Sequence, residues 1–187
     1  DDFASLLSLY PVSNHEAAKA ATSQMDRTIE KCRKCIKLHS IKARPKVNYD
    51  KKRNNPTYAA WLEQEEFNNQ MGNAWMLLAQ AEFHKGDFLG SVSTFNYIAR
   101  HYSHDVDMVA QCQLWIARAY AEMDWLYEAE DMLQKVQVDN LNRKHAPLYA
   151  SVSADVMMKQ TRYQEAIPFV KIALPNEQRK GYRPRFQ

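Results

Sequence analysis

Glycine is scarce in this chain, with only four among 187 residues: Gly72, Gly86, Gly90 and Gly181. A phosphate-binding loop needs several glycines so that backbone amides can approach the phosphate, and tight hairpin turns need glycine at positive φ. The shortage therefore argues against a glycine-rich nucleotide-binding loop and against a sheet with many turns. It favours helices.

Several other features are also missing. The three cysteines, Cys32, Cys35 and Cys112, are too few and odd in number for a disulfide scaffold. The longest apolar run, residues 74–79, is far shorter than the roughly 20 residues of a membrane span. No G-x-S-x-G, H-E-x-x-H or P-loop pattern occurs, and the acidic clusters accompany no candidate nucleophile. We therefore predict a protein that is not an enzyme, with no cofactor and no small-molecule substrate.

What the chain does contain is an internal repeat close to the 34-residue period of tetratricopeptide (TPR) helix pairs. Small residues in this pattern mark the close approach of two helices, and large residues fill the space between pairs. Two further copies appear when Ala129 and Ala166 are aligned with Ser91, although neither copy has the turn glycine. The first copy has Trp75, Leu78, Ala79, Gly86-Asp87-Phe88, Ser91, Phe95 and Ile98; the second has Ile116, Ala117, Tyr120, Ala129, Leu133 and Val136; the third has Ser153, Ala154, Met157, Tyr163, Ala166, Val170 and Ala173.

The repeat phase also predicts where aromatic side chains lie. It assigns five of them to the core: Trp75, Phe88, Phe95, Tyr120 and Tyr163. Three others, Tyr58, Trp61 and Trp125, fall outside that pattern, and an exposed tryptophan or tyrosine is a typical interface anchor. The second copy starts 38 residues after the first, so the connection between His101 and Val109 should carry about four extra residues.

The upstream part predicts one long helix over residues 14–40, with Met25, Ile29, Cys32 and Ile36 on one face. Residues 41–57 contain two prolines and a basic run and should be irregular, and a short helix should follow over 57–67. Cys32, Cys35 and His39 also have the spacing of metal ligands on one helix side. The repeat phase favours core packing for both cysteines, and the metal interpretation stays open.

These patterns together predict an all-α fold: a right-handed α-solenoid of TPR-like helix-turn-helix repeats, with about eight helices and one irregular basic insert. The predicted segments are a lead-in with a long helix (1–40), the basic insert (41–57), the repeats (58–174) and a basic tail leading to further repeats (175–187). Pro168 falls inside the last helix. If that helix begins near Tyr163, the damage is limited to its start, with a small kink.

Stacked TPR pairs form a groove that is lined by the first helix of each pair, and this predicted groove is the main candidate site. The asparagine needed to capture an acidic C-terminal peptide is replaced by Leu77, Trp115 and Val152, so we expect a different ligand. The predicted lining is Asn73, Met76, Gln80, His84, Gln111, Leu114, Arg118, Glu122, Leu148, Ser151, Asp155 and Lys159.

The charge is distributed unevenly. Residues 31–53 hold ten basic residues against Asp50 alone, a net charge of +9. Because the whole chain carries +3, the rest carries −6. A basic segment of this kind offers an alternative function, salt-sensitive binding of a polyanion or an anionic surface. The candidate basic and aromatic contact surface comprises Lys42, Arg44, Lys46, Lys51, Lys52, Arg53, Tyr58, Trp61 and Trp125.

Several segments together resemble one family of repeat proteins. They are residues 25–41, Tyr58-Ala-Ala-Trp-Leu, Asn73-Ala-Trp-Met-Leu-Leu, Lys85-Gly-Asp-Phe-Leu-Gly90 and Trp125-Leu-Tyr-Glu-Ala-Glu130. The chain resembles the TPR-containing lipoproteins of the SprE/PorW family, which belong to the type IX secretion and gliding-motility machinery of Bacteroidetes. The most specific parts are Lys-Leu-His-Ser-Ile41 followed by Pro45-Lys46, and the Gly-Asp-Phe-Leu-Gly turn.

The resemblance implies a non-catalytic, periplasmic scaffold, held at the outer membrane by an N-terminal lipid anchor that lies outside this sequence. It also implies that this chain is the N-terminal segment of a longer solenoid. The partners would be other proteins of a secretion and motility assembly, and no nucleic acid is expected. The leading functional hypothesis is therefore a scaffold for protein–protein interactions.

Overall fold

A computed structural model of the chain describes residues 15–39, 56 and 70–176. Within these residues every regular element is helical and there is no strand, so the predicted all-α class is confirmed. Of the basic insert (41–57) only Pro56 is described, the short helix at 57–67 lies outside the described residues, and of the tail (175–187) only residues 175 and 176, at the end of the last helix, are described. The seven α-helices described are α1 (His15–His39), α2 (Met71–Lys85), α3 (Phe88–His101), α4 (Val106–Glu122), α5 (Leu126–Lys135), α6 (Ala146–Lys159) and α7 (Tyr163–Asn176).

The long helix α1 packs against α2 through the face that its sequence pattern predicts. Met25, Ile29 and Cys32 are buried in one cluster with Leu78 and Ala81 of α2. These α1 residues are three or four apart, so they form a single apolar stripe along the helix. The prediction of a long amphipathic helix is confirmed, and Cys32 fills a packing position.

The turn that follows α2 has the glycine conformation expected from Gly86-Asp87-Phe88. Gly86 has a φ of 92°, and the amide of Asp87 donates to the carbonyl of Glu82 at 3.0 Å. This bond reaches back five residues and satisfies a carbonyl that the helix end would otherwise leave unpaired. The Asp87 carboxylate then caps α3 by accepting from the amide of Gly90 at 2.9 Å.

The same turn geometry recurs twice where the sequence has no glycine. Asp124 after α4 has a φ of 58°, and Thr161 after α6 has a φ of 62°. The next residue again bonds five positions back, from Trp125 to the carbonyl of Tyr120 at 2.9 Å and from Arg162 to that of Met157 at 2.8 Å. The three turns are therefore equivalent, and they lie at the spacing that the sequence alignment predicts.

Small residues are buried at the same two positions of each helix pair. One set lies on the first helices and the other at the start of the second helices, where α3, α5 and α7 approach their partners. All six expose 2% of their surface or less, so the predicted close-approach positions are confirmed. They are Ala79, Ala117, Ala154, Ser91, Ala129 and Ala166.

Each described helix packs mainly against its neighbours along the chain. The strongest contacts join α1 to α2, α2 to α3, α3 to α4, α4 to α5 and α6 to α7, while α6 contacts both α4 and α5. The predicted extra residues after α3 form helix rather than loop, because α4 already begins at Val106, three residues before the position aligned with Met71. Asp105 caps this added turn by accepting from the amide of Met108 at 3.0 Å.

Most of the predicted aromatic core is confirmed. Phe95 is fully buried and stacks on Trp115, with the ring centroids 5.9 Å apart, while Trp75, Phe88 and Tyr120 pack against the same cluster half-buried.

The prediction for Tyr163 is wrong, because this side chain is 60% exposed. In the first pair, Phe88 rests edge-on against Phe83 with the ring centroids 5.3 Å apart. The third pair has Met158 at the position of Phe83, so Tyr163 has no aromatic ring to pack against there.

The last described helix, α7, begins at Tyr163 as predicted and continues through Pro168 to Asn176. None of the described helices is both long enough and apolar enough to cross a bilayer.

Candidate protein-binding surface

Two apolar residues of the predicted groove, Met76 and Leu114, are buried and do not offer open surface. Met76 lies in the central core, where its sulfur is 3.6 Å from the sulfur of Cys112. Leu114 is fully buried and packs with Val136 and Leu141. Val136 and Leu141 belong to the connection between α5 and α6, which covers Leu114. The groove lining assigned to these two residues therefore consists of core side chains.

Two other residues of the predicted groove, His84 and the buried Arg118, contact the same ring, that of Trp115, from within this cluster of helices. His84 of α2 lies edge-on to Trp115 of α4, with the ring centroids 5.8 Å apart. Arg118 of α4 places its guanidinium carbon 5.2 Å from the ring centroids of both Phe83 and Trp115. A guanidinium over an aromatic face is attracted by the ring quadrupole, more strongly when it is desolvated, and Arg118 is only 7% exposed. This Arg118 cluster links α2 to α4.

The remaining positions of the predicted groove lie on α2, α4 and α6. Asn73 is exposed and donates from its amide to Gln70 at 2.9 Å. Lys159 of α6 donates to the carbonyl of Ala121 and lies 3.6 Å from the Asp124 carboxylate, so it connects α6 to the end of α4. The other partly exposed members are Gln80, Gln111, Glu122, Leu148, Ser151 and Asp155.

Gln111 belongs to a polar cluster at the start of α4. Its amide donates to Asp107 at 3.2 Å, and Asp107 also accepts from the backbone amide of Asn142 at 3.0 Å. The imidazole of His145 lies 3.5 Å from the same carboxylate, and its Nε2 is buried without a hydrogen bond. Burial lowers the pKa of His145 and outweighs the opposite effect of Asp107. The cluster fixes the connection between α5 and α6 against α4.

The predicted basic and aromatic contact surface can be placed only in part. Trp125 is 46% exposed and stacks on Tyr120, with the ring centroids 5.8 Å apart, so its prediction as an exposed aromatic is confirmed. The neighbouring Tyr127 is 85% exposed and was missed. In the repeat alignment Tyr127 occupies the position of Leu89 in the first pair, which is not a core position of the repeat. The alignment could therefore have identified Tyr127 as a residue outside the core. The other members of this surface, Lys42, Arg44, Lys46, Lys51, Lys52, Arg53, Tyr58 and Trp61, lie outside the described residues.

The candidate metal ligands on α1 do not share one environment. Cys32 is buried, and burial raises the pKa of its thiol, while Cys35 is half-buried and His39 is exposed. Within residues 15–39 and 70–176 no three His, Cys, Asp or Glu side chains are grouped so that they could hold a metal ion. In this arrangement Cys32 acts as a small hydrophobic side chain.

Sequence patterns gave no signal for an ion pair between α1 and α2 in which only the carboxylate is buried, while the Arg33 side chain is 66% exposed. Glu82 is 5% exposed; it accepts from the Thr94 hydroxyl at 2.6 Å and from the Arg33 guanidinium at 3.2 Å. The three side chains come from three different helices, so their meeting depends on tertiary packing. The network joins α1, α2 and α3 and compensates for the buried charge.

A surface cavity of about 150 Å³ lies at the start of α4. This volume is below the roughly 300–1,000 Å³ of typical small-molecule sites. Its lining is Ser103, Val106, Val109, Ala110, Gln113, Lys135 and Gln137.

No protein-family model, no curated protein and no solved structure matches this chain.

Proposed function

We propose that this chain is a non-catalytic, TPR-like α-solenoid that binds other proteins. The observation that carries the proposal is the recurrence of one turn at Gly86, Asp124 and Thr161, each joining two helices that meet at buried small residues. Helix pairs of this kind stack on their neighbours and present an extended surface, which is how repeat proteins bind partners.

The surface formed by α2, α4 and α6 is the proposed contact surface. Beneath it the buried Arg118 cluster joins α2 to α4, with the guanidinium held over the rings of Phe83 and Trp115. The partly exposed side chains of Gln80 and His84 lie on the α2 side of this surface. A surface that is ordered before binding loses less conformational entropy when a partner arrives.

The resemblance to the SprE/PorW family supports a proposal for the cellular location and the partners of this protein. We place the chain, as part of the same proposal, in the periplasm at the outer membrane, where a lipid anchor would hold it. Its partners there would be proteins of the type IX secretion and gliding machinery. The most specific support is the Lys37-Leu-His-Ser-Ile41 segment and the Lys85-Gly-Asp-Phe-Leu-Gly90 turn.

Site-specific photo-crosslinking tests the proposal. A photoreactive residue at Gln80 on α2 should crosslink to a defined protein, and Arg118→Ala in the same background should reduce the yield. The matched control is the same probe at Glu30, an exposed position on α1, a helix that the proposed surface does not include. Equal yields from both positions, or no protein adduct from either, would contradict a role for the α2–α4–α6 surface.

Polyanion binding is the second candidate function, favoured by the net charge of +9 in residues 31–53. It predicts binding of heparin that weakens steeply with added salt. Replacing Lys51, Lys52 and Arg53 by glutamine should reduce that salt dependence. An absence of heparin binding at 20 mM NaCl would remove this candidate and leave the protein-binding proposal intact.

A further inference from the structure

The turn between α4 and α5 exposes two aromatic side chains that the α2–α4–α6 surface does not use. Trp125 is 46% exposed and is held by stacking on Tyr120 at 5.8 Å between ring centroids, while Tyr127 is 85% exposed. Large rings left in solvent next to each other have apolar faces available for contact. We call Trp125, Tyr127 and the carboxylates around them the α4–α5 turn surface.

The charge around these rings is entirely negative in sequence. Residues 122–131 contain five acidic residues and no basic residue. Cations from elsewhere meet three of the carboxylates: Lys159 lies 3.6 Å from Asp124, Arg162 bonds Glu130 and Lys135 bonds Asp131. Glu128 is exposed and forms no ion pair with any of the described residues.

The helix geometry places a carboxylate near each of the two rings. Asp131 follows Tyr127 by four residues on α5 and therefore lies on the same face, one turn along. Glu128 follows Trp125, the N-cap residue of α5, by three residues, and the Asp124 side chain is 83% exposed in the turn before it. The aromatic faces are thus bordered by oxygen acceptors, which favour a cationic ligand over an apolar one.

We propose that the α4–α5 turn surface docks an arginine-containing segment of a partner protein. A planar guanidinium can stack on an aromatic face and donate to a carboxylate at the same time, which an ammonium group does less well. This chain makes the guanidinium–ring part of that contact internally, where the guanidinium of Arg118 lies 5.2 Å from the ring centroids of Phe83 and Trp115. An apolar helix is a poorer occupant, since it would desolvate Glu128 and Asp124 without replacing their hydrogen bonds.

The inference rests on the proposed protein-binding function, but it assigns a different surface and names the chemistry of the partner. The test uses the full chain and a fluorescein-labelled ten-residue peptide of alternating arginine and serine. Fluorescence anisotropy should show saturable binding at 50 mM NaCl. Replacing every arginine by lysine should weaken binding, and replacing every arginine by glutamate should abolish it.

Variants then assign the binding to these residues. Trp125→Ala, Tyr127→Ala and Glu128→Gln should each weaken peptide binding by about fivefold, the loss of one cation–π or charge-assisted contact. Leu89→Ala is the matched control for Tyr127, because Leu89 is 60% exposed at the equivalent position of the first helix pair. Glu30→Gln is the control for Glu128. Both controls should bind as the unchanged chain does.

Two outcomes would overturn the inference: arginine and glutamate peptides binding equally, or unchanged affinity in both Tyr127→Ala and Glu128→Gln. Because Tyr127 and Glu128 are exposed, these two variants should fold even if Trp125→Ala does not. Trp125→Phe, which keeps a ring, should retain binding within about twofold. Crosslinking at Gln80 is read independently, so a failed peptide test with a successful crosslink would reject this surface and keep the proposed function.

Discussion

At the scale of single residues, the three helix-pair turns place different side chains in the same left-handed backbone conformation. Gly86 adopts it freely, and a Cβ added there would meet no atom within 4 Å. Asp124 and Thr161 adopt it with a side chain, at φ of 58° and 62°. The left-handed region costs an L-residue roughly 1–2 kcal/mol, and a β-branched residue is the least suited to it. The third turn is therefore strained.

Thr161→Gly should stabilise the protein. Glycine removes the cost of the left-handed backbone conformation. Because a glycine also loses more conformational entropy on folding than a threonine, part of this gain is offset, and we expect a net increase of about 0.5–1 kcal/mol in the free energy of unfolding. Urea denaturation with an unchanged slope should show a higher midpoint. Gly86→Ala should lower the midpoint by a similar amount. Lys171→Gly, at an exposed site inside α7, is the control, and it should lower the urea midpoint. If Thr161→Gly also lowers the midpoint, Thr161 is not strained.

His145 should make the protein less stable as the pH falls below neutrality. Burial lowers its pKa in the folded chain below the ordinary value of 6.5. The unfolded chain therefore takes up the proton first, and stability declines as the pH drops through 6.5 towards the folded pKa. His145→Gln should flatten the dependence of the urea midpoint on pH between pH 7.5 and 5.5. An equally steep decline in His145→Gln would exclude His145 as its cause.

At the scale of elements, sequence periodicity located the helices because their causes are local. Small residues such as Ala79 and Ala117 recur at fixed spacing, and α1 shows its apolar stripe directly. The left-handed turns at Asp124 and Thr161 could not be predicted from the sequence, because neither position has a glycine. Their conformation is imposed by the two helices that each turn joins. The longer α4, with 17 residues against 15 in α2, likewise reflects the Asp105 cap and not the repeat phase.

The candidate surface was predictable only as a set of positions. The repeat phase placed His84 and Arg118 on the first helices of their pairs, but their convergence on Trp115 depends on how α2 meets α4. Leu114 was assigned to the groove because the pattern could not show that the connection between α5 and α6 folds over it. Contacts between residues distant in sequence are the part that periodicity does not encode.

Helix α7 contains a proline that should destabilise it. Pro168 is exposed at the sixth position of α7, where it removes a backbone donor and crowds the carbonyl of Gln164. Pro168→Ala should raise the free energy of unfolding by roughly 1–2 kcal/mol and increase the helical circular dichroism signal. Pro147 provides the matched control, because it lies in the first turn of α6, where proline is tolerated. Equal effects of Pro168→Ala and Pro147→Ala would mean that helix position does not decide the cost.

At the scale of the whole molecule, stability should be distributed along the chain because packing is mostly between neighbouring helices. The central cluster around Phe95, Trp115 and Ile116 belongs to α2, α3 and α4. At the boundary with α6, Ala117, Ala121 and Ala129 pack with Val152 and Val156, and Tyr120, Met132 and Leu133 border the same cluster, so removing α6 and α7 uncovers these side chains but leaves most of the central cluster in place. The first five helices therefore hold most of what they need to stay folded.

A chain shortened to residues 1–145 should accordingly fold. We expect it to keep a cooperative urea transition, with a lower midpoint and a smaller slope, because less surface is exposed when a shorter chain unfolds. Deleting residues 88–122 removes a segment of comparable length but takes α3, α4 and the central cluster with it, so that variant should lose cooperative unfolding. Circular dichroism during urea titration distinguishes the two. If both deletions abolish the transition, the helices form one indivisible core and the picture of neighbouring, separately stabilised pairs is wrong.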